Sequence, residues 1–199
     1  MEVIEPGESF CFGHHINTTQ IRLELYRLAT MFLSSEAIAD FSLEGQRTGK
    51  GMVDSGTHWL EELSSQFFWS ENSRILIYTA IQGRLLRSIP HWKFLPIWDE
   101  ACGDIETGAI VAPKSFGVGP LGGSVKPLSL KQAFDKIIHS LKINPDVKML
   151  TEFKLFGTTK TNSILFLYGE HMNEKTWRAT LSVLEYVRLM RKILVAVGA

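Results

Sequence analysis

The first half of the chain is written in helical period. Ile21, Leu25, Leu28 and Phe32 recur on one face of a helix that Asn17 or Thr18 can cap, with Gln20 three residues after Asn17. This helix is predicted to reach Phe41, and the glycine-punctuated stretch from Ser42 to Gly51 to be an exposed loop. A second helix is predicted from about Ser55 to Trp69. Ser70 and Ser73 offer caps for a third, in which Ile77, Ile81 and Leu85 form the apolar stripe. Pro90 ends it, because a residue before proline is pushed out of the helical region. Residues 1–16 read as an irregular lead-in and 91–128, rich in proline and glycine, as a long loop whose first, aromatic part packs against the body.

Ser129 caps a fourth helix running to Leu141, with Leu130, Phe134, Ile137 and Leu141 as its buried stripe. The period then switches to two. Met149 to Phe156 alternate, Gly157 to Asn162 form a turn, and Ser163 to Tyr168 are apolar on both faces, as in a covered strand. In the next strand Trp177, Ala179 and Leu181 share a face. A last helix, from Val183 to about Val197, buries Val183, Val187, Met190 and Leu194. The predicted architecture is α+β and predominantly helical: one domain over 1–199, with a small three-stranded antiparallel sheet, a meander over about 147–182, near the C-terminus.

Composition narrows the function classes. Lys+Arg and Asp+Glu number 21 each, so no global field draws in nucleic acid or anionic membrane, and such binding needs a local patch. The two cysteines, Cys11 and Cys102, are too sparse for a disulfide scaffold. No apolar run is long enough to span a bilayer, and the N-terminal residues are acidic rather than leader-like. A cytoplasmic location without membrane contact is expected.

Several motifs fail on inspection. Gly117-Val-Gly119-Pro-Leu-Gly122 has the spacing of a dinucleotide fingerprint, but Pro120 interrupts it and the next helix starts only near Ser129. Gly45 to Gly51 is one residue short of a phosphate loop and lacks its Ser or Thr. Cys11, His14 and His15 have no second cluster to complete a zinc site. His58 with Glu61 and Glu62 reads as a solvated helix face. No cofactor and no metal are expected.

The fourth helix carries the candidate chemistry. Asp135 and His139 lie one turn apart, on the side opposite the apolar stripe, with Gln132 and Lys142 beside them. A carboxylate there can orient an imidazole for general acid/base work, and the same pattern also suits a plain solvated face. The stretch Phe134-Asp135-Lys136-Ile137-Ile138-His139 resembles the signature of HEPN-domain proteins, an arginine and a polar residue followed by a histidine on a bundle helix. Asp135 matches the polar position and His139 the histidine, while Phe134 stands where the family has arginine. The segment Ser73 to Leu86 resembles an earlier helix of some members. The Asp135–His139 core, Tyr168-Gly-Glu170 and Trp177-Arg-Ala-Thr-Leu181 together resemble a group of bacterial and prophage-borne proteins.

The resemblance implies a HEPN-like helical bundle, a homodimer, and metal-independent action on the RNA backbone, in phage defence or toxin-type biology. Its catalytic candidates are Asp135, His139 and Lys136, with Lys136, Arg84 or Arg87 supplying the charge of the missing arginine. Two other readings stand beside it. One is a non-catalytic interaction or regulatory protein on the same scaffold. The other is a small-molecule pocket lined by Trp92, Trp98 and Trp177.

Overall fold

A computed structural model describes residues 8–11, 14–47, 58–107, 124–149, 159–170 and 176–198. A short hairpin comes first. Strand β1 (Glu8–Cys11) pairs antiparallel with β2 (His14–Asn17), so the expected irregular lead-in carries strand structure. Two long helices follow, α1 (Thr18–Arg47) and α2 (His58–Ser88). Asn17 caps α1 as expected, its Oδ1 accepting the Gln20 N–H at 2.7 Å. The helix continues to Arg47, through much of the expected loop. Gly45 is its one weak helix former there, and a single glycine costs only about 1 kcal/mol.

Helix α2 merges two predicted helices into one. Ser70 and Ser73 lie inside it rather than at caps, since serine in a helix interior costs only a few tenths of a kcal/mol. Its buried face also differs from the expected stripe. Ile77 and Ile81 are 41% and 43% exposed, whereas Phe68, Asn72, Ile75, Leu76, Thr79, Ala80 and Leu86 are buried. The inward face contains polar and small residues that a count of apolar positions passes over. Thr79 shares a hydrogen bond of 3.0 Å with the buried hydroxyl of Tyr186, and Gly83 leaves room for Phe134.

The sheet is where the expected fold is overturned. It has five antiparallel strands, not three, in the order β4-β3-β7-β6-β5. Strands β3 (Ala101–Thr107) and β4 (Ser124–Ser129) come from the stretch expected to be a loop, with a 3₁₀ turn at Pro96–Asp99 just before them. Strand β3 lies against β7 (Thr176–Ser182), from Gly103 opposite Leu181 to Thr107 opposite Trp177. The polar residues that hide β3 in the sequence are matched across the sheet: Arg178 donates to Glu106 at 2.7 Å. Strand β6 (Thr159–Glu170) takes in residues expected in a turn, and β5 (Lys142–Met149) starts earlier than expected. The alternating stretch after Met149 lies outside the described residues.

Helix α3 (Leu130–Ile138) explains the early start of β5. It stops at Ile138 rather than at Leu141, whose N–H instead donates to the Tyr168 carbonyl at 2.8 Å and leads the chain into the sheet. Helix α4 (Val183–Ala196) buries Val183, Met190 and Leu194, with Val187 half-buried. One face of the sheet, carrying Leu165, Leu167, Trp177, Ala179 and Leu181, is buried, with α1, α3 and α4 against it. The architecture is therefore a helical layer on an antiparallel sheet rather than a bundle with a small appendage. No helix among the described residues is long and apolar enough to cross a membrane.

Candidate functional site

Helix α3 begins with a fixed first turn. The backbone N–H and the hydroxyl of Ser129 both donate to Gln132 Oε1, at 3.1 and 3.0 Å. Leu130, Ala133, Phe134 and Ile137 then point into the core. Phe134 meets Trp98 and Tyr186 edge to face, with ring centroids 6.1 and 6.2 Å away. This anchored face fixes the rotation of the helix. It leaves Gln132, Asp135, Lys136 and His139 on the other side, where they line an open cavity of about 630 Å³ together with Leu141, Glu170 and Trp177.

The three sequence candidates Asp135, Lys136 and His139 thus share one cleft. His139 caps the end of α3, its N–H donating to the Asp135 carbonyl at 3.0 Å, and its side chain is exposed. The half-exposed Asp135 carboxylate is engaged from α2, with Arg84 Nε 3.5 Å from Oδ1. Among the described residues no hydrogen bond joins that carboxylate to the His139 imidazole. Lys136 is half-buried and holds its ammonium over the Trp177 indole, 4.1 Å from the ring centroid. Burial holds the Lys136 ammonium below the usual lysine range, and the neighbouring Asp135 partly opposes that shift.

The floor of the cleft depends on a glycine. Gly169 faces Trp177 across β6 and β7, and a Cβ built on Gly169 would lie 2.5 Å from indole Cε2. Only glycine lets Trp177 lie across the strand and reach Lys136. Glu170, Leu141 and the platform made by Gly169 and Trp177 carried no signal of their own in the sequence. Their roles follow from the pairing of β6 with β7 and from the early end of α3. Arg84 was one of several candidate cations, and the packing of α2 on α3 selects it as the partner of Asp135.

Other candidates do not join the cleft. Trp98 is buried in the core and donates its indole N–H to the Trp92 carbonyl at 2.6 Å, so the expected pocket of Trp92, Trp98 and Trp177 does not form. Cys11 lies opposite His14 in the first hairpin, and among the described residues no cluster of His, Cys, Asp and Glu is arranged to hold a metal ion. Cys102, on β3, is buried, and burial pushes its thiol up to about 12.

No protein-family model matches the chain, and neither a curated protein nor a solved structure does.

Proposed function

We propose that the cleft between α3 and the β6–β7 hairpin is an acid/base site that acts on the RNA backbone without needing a metal. The observation that carries this reading is convergence. Asp135, Lys136 and His139, then Glu170, then Trp177 come from the three segments that resemble a group of bacterial and prophage-borne proteins, the first of them also resembling the HEPN signature, and all line one cavity. In the proposed reaction His139 removes the proton of a ribose 2′-hydroxyl, whose oxygen attacks the adjacent phosphorus, and the 5′-oxygen leaves with its electron pair and takes a proton from water. Lys136 and Arg84 stabilise the charge that builds on the phosphate. Arg84 would do from α2 what the family arginine does from the position of Phe134, which here is sealed in the core.

The test is cleavage of single-stranded and transfer RNA by the pure protein in EDTA, with analysis of the ends. Products carrying 2′,3′-cyclic phosphate are expected, and His139→Ala is expected to lower the rate roughly 10²–10⁴-fold with the fold intact. Homodimer formation and a cytoplasmic setting belong to the same reading, as does a part in phage defence or toxin-type biology. Light scattering at tens of micromolar tests the dimer.

A second reading, a non-catalytic interaction protein on this scaffold, draws on a different observation. Asp135 is paired with Arg84 rather than with His139. No cleavage of single-stranded, structured or transfer RNA by the pure protein would favour it.

A further inference from the structure

The end of α2 and the turn after it form a basic segment on a neutral protein. Between Glu71 and Asp99 the chain has no acidic residue, and Arg84, Arg87, His91 and Lys93 follow one another toward the turn. Phe94 projects from that turn with 85% of its surface exposed, the most exposed large apolar side chain among the described residues. The turn itself is well tied. The N–H groups of Trp92 and Lys93 both donate to the Ile89 carbonyl at 3.0 Å, and that of Leu95 to the Trp92 carbonyl at 3.2 Å. Phe94 is therefore held out in water by an ordered backbone, with the Lys93 ammonium 5.9 Å from its ring centroid.

The last turns of α2 reach the cleft at Arg84, which pairs with Asp135. Lys131 in the first turn of α3 forms an ion pair with Asp99, at the end of the 3₁₀ turn that follows Phe94, and this places that 3₁₀ turn at one end of the helix. Arg84 reaches Asp135 further along it, and His139 closes the other end. From Lys131 to His139 is about 12 Å at 1.5 Å per residue, a distance that a few nucleotides cover. An exposed aromatic ring beside a run of cations is the arrangement that holds single-stranded nucleic acid. The ring stacks on a base, and the cations follow the phosphates.

We propose that a single strand of RNA runs from the cleft along the basic end of α2 and stacks one base on Phe94. Phe94, Arg87 and Lys93 then set binding, while His139 sets cutting. The inference rests on the cleft being RNA-acting, and binding and cleavage are separable measurements.

Fluorescence anisotropy with a labelled single-stranded RNA of about twelve nucleotides tests it, at about 50 to 200 mM salt. Phe94→Ala is expected to raise Kd roughly 5- to 100-fold, the effect of losing one base stack. Duplex RNA, whose bases are already stacked, is expected to lose less. Arg87→Ala and Lys93→Ala are expected to weaken binding and to flatten the slope of log K against log salt by about 0.7 each. Binding that shows these effects without any cleavage supports this inference while removing the catalytic reading. Wild-type binding that ignores Phe94→Ala, or no binding at low salt, overturns it. So does a Phe94→Ala protein that binds RNA normally but dissociates from dimer to monomer, since the ring would then be a protein contact.

Discussion

Phe134 presses its ring against the backbone of Gly83. A Cβ built on that glycine would lie 2.5 Å from Phe134 Cζ, closer than packed atoms can approach. The contact locks α3 against α2 and fixes which residues of α3 face outward. It also explains why no arginine stands at this position: a guanidinium would have to enter a site with no exposed surface, among Trp98 and Tyr186.

Gly83→Ala should therefore destabilise the protein even though alanine is the better helix former. The helix preference is worth about 1 kcal/mol, and overpacking costs about 1–3 kcal/mol. A net loss of up to about 2 kcal/mol in urea denaturation is expected, and a gain in stability would show that Phe134 moves aside freely.

Arg84→Ala should lower RNA cleavage roughly 10²-fold while leaving thermal stability close to wild type. The size is that of losing one preorganised donor at a developing charge, and an exposed ion pair such as that with Asp135 adds only about 0–1 kcal/mol. Single-turnover kinetics beside a melting curve separate the two effects. An unaltered rate would leave Lys136 as the working cation.

Lys136 gives a pH signature. Its ammonium is held below the ordinary lysine value of 10.5, so the folded protein releases this proton before the unfolded chain does. Unfolding then takes up a proton between the lowered value and 10.5, and stability contributed through this group rises with pH across that window. A ¹³C-lysine NMR titration should show one resonance with a midpoint below 10.5, absent in Lys136→Met. Movement of that midpoint on replacing Trp177 with leucine would locate the cause in the same cleft.

Cys102 should be inert toward thiol reagents in the native state. With its thiol pushed up to about 12 and its surface covered, almost no thiolate is present at pH 8. In a Cys11→Ser background, labelling should begin only when denaturant opens the fold. Rapid labelling without denaturant would contradict this burial.

The parts of the fold that could be read in advance are those whose stability is local. Asn17 caps α1, Pro90 follows the end of α2, and the alternation in β7 marks Trp177, Ala179 and Leu181 as its inner face. Strands β3 and β4 were not legible, because Asp104, Glu106 and Lys126 read as a solvated loop until Arg178 is placed opposite Glu106. The grouping of Asp135, Lys136 and His139 follows from helical spacing alone. What surrounds them does not. Arg84 lies some fifty residues earlier in the chain, and the platform of Gly169 and Trp177 exists only once two strands pair.

The strand order also sets a schedule for synthesis. Strand β3 has its partner β7 some seventy residues downstream, and the Trp177 floor of the cleft comes with that same late strand. Sheet closure waits on this distant pairing, as it does wherever contacts span long stretches of chain. A ribosome that has produced α3 has made the histidine, lysine and aspartate, but not yet the surface they work against. The cleft therefore takes its shape only after β7 has been made and paired.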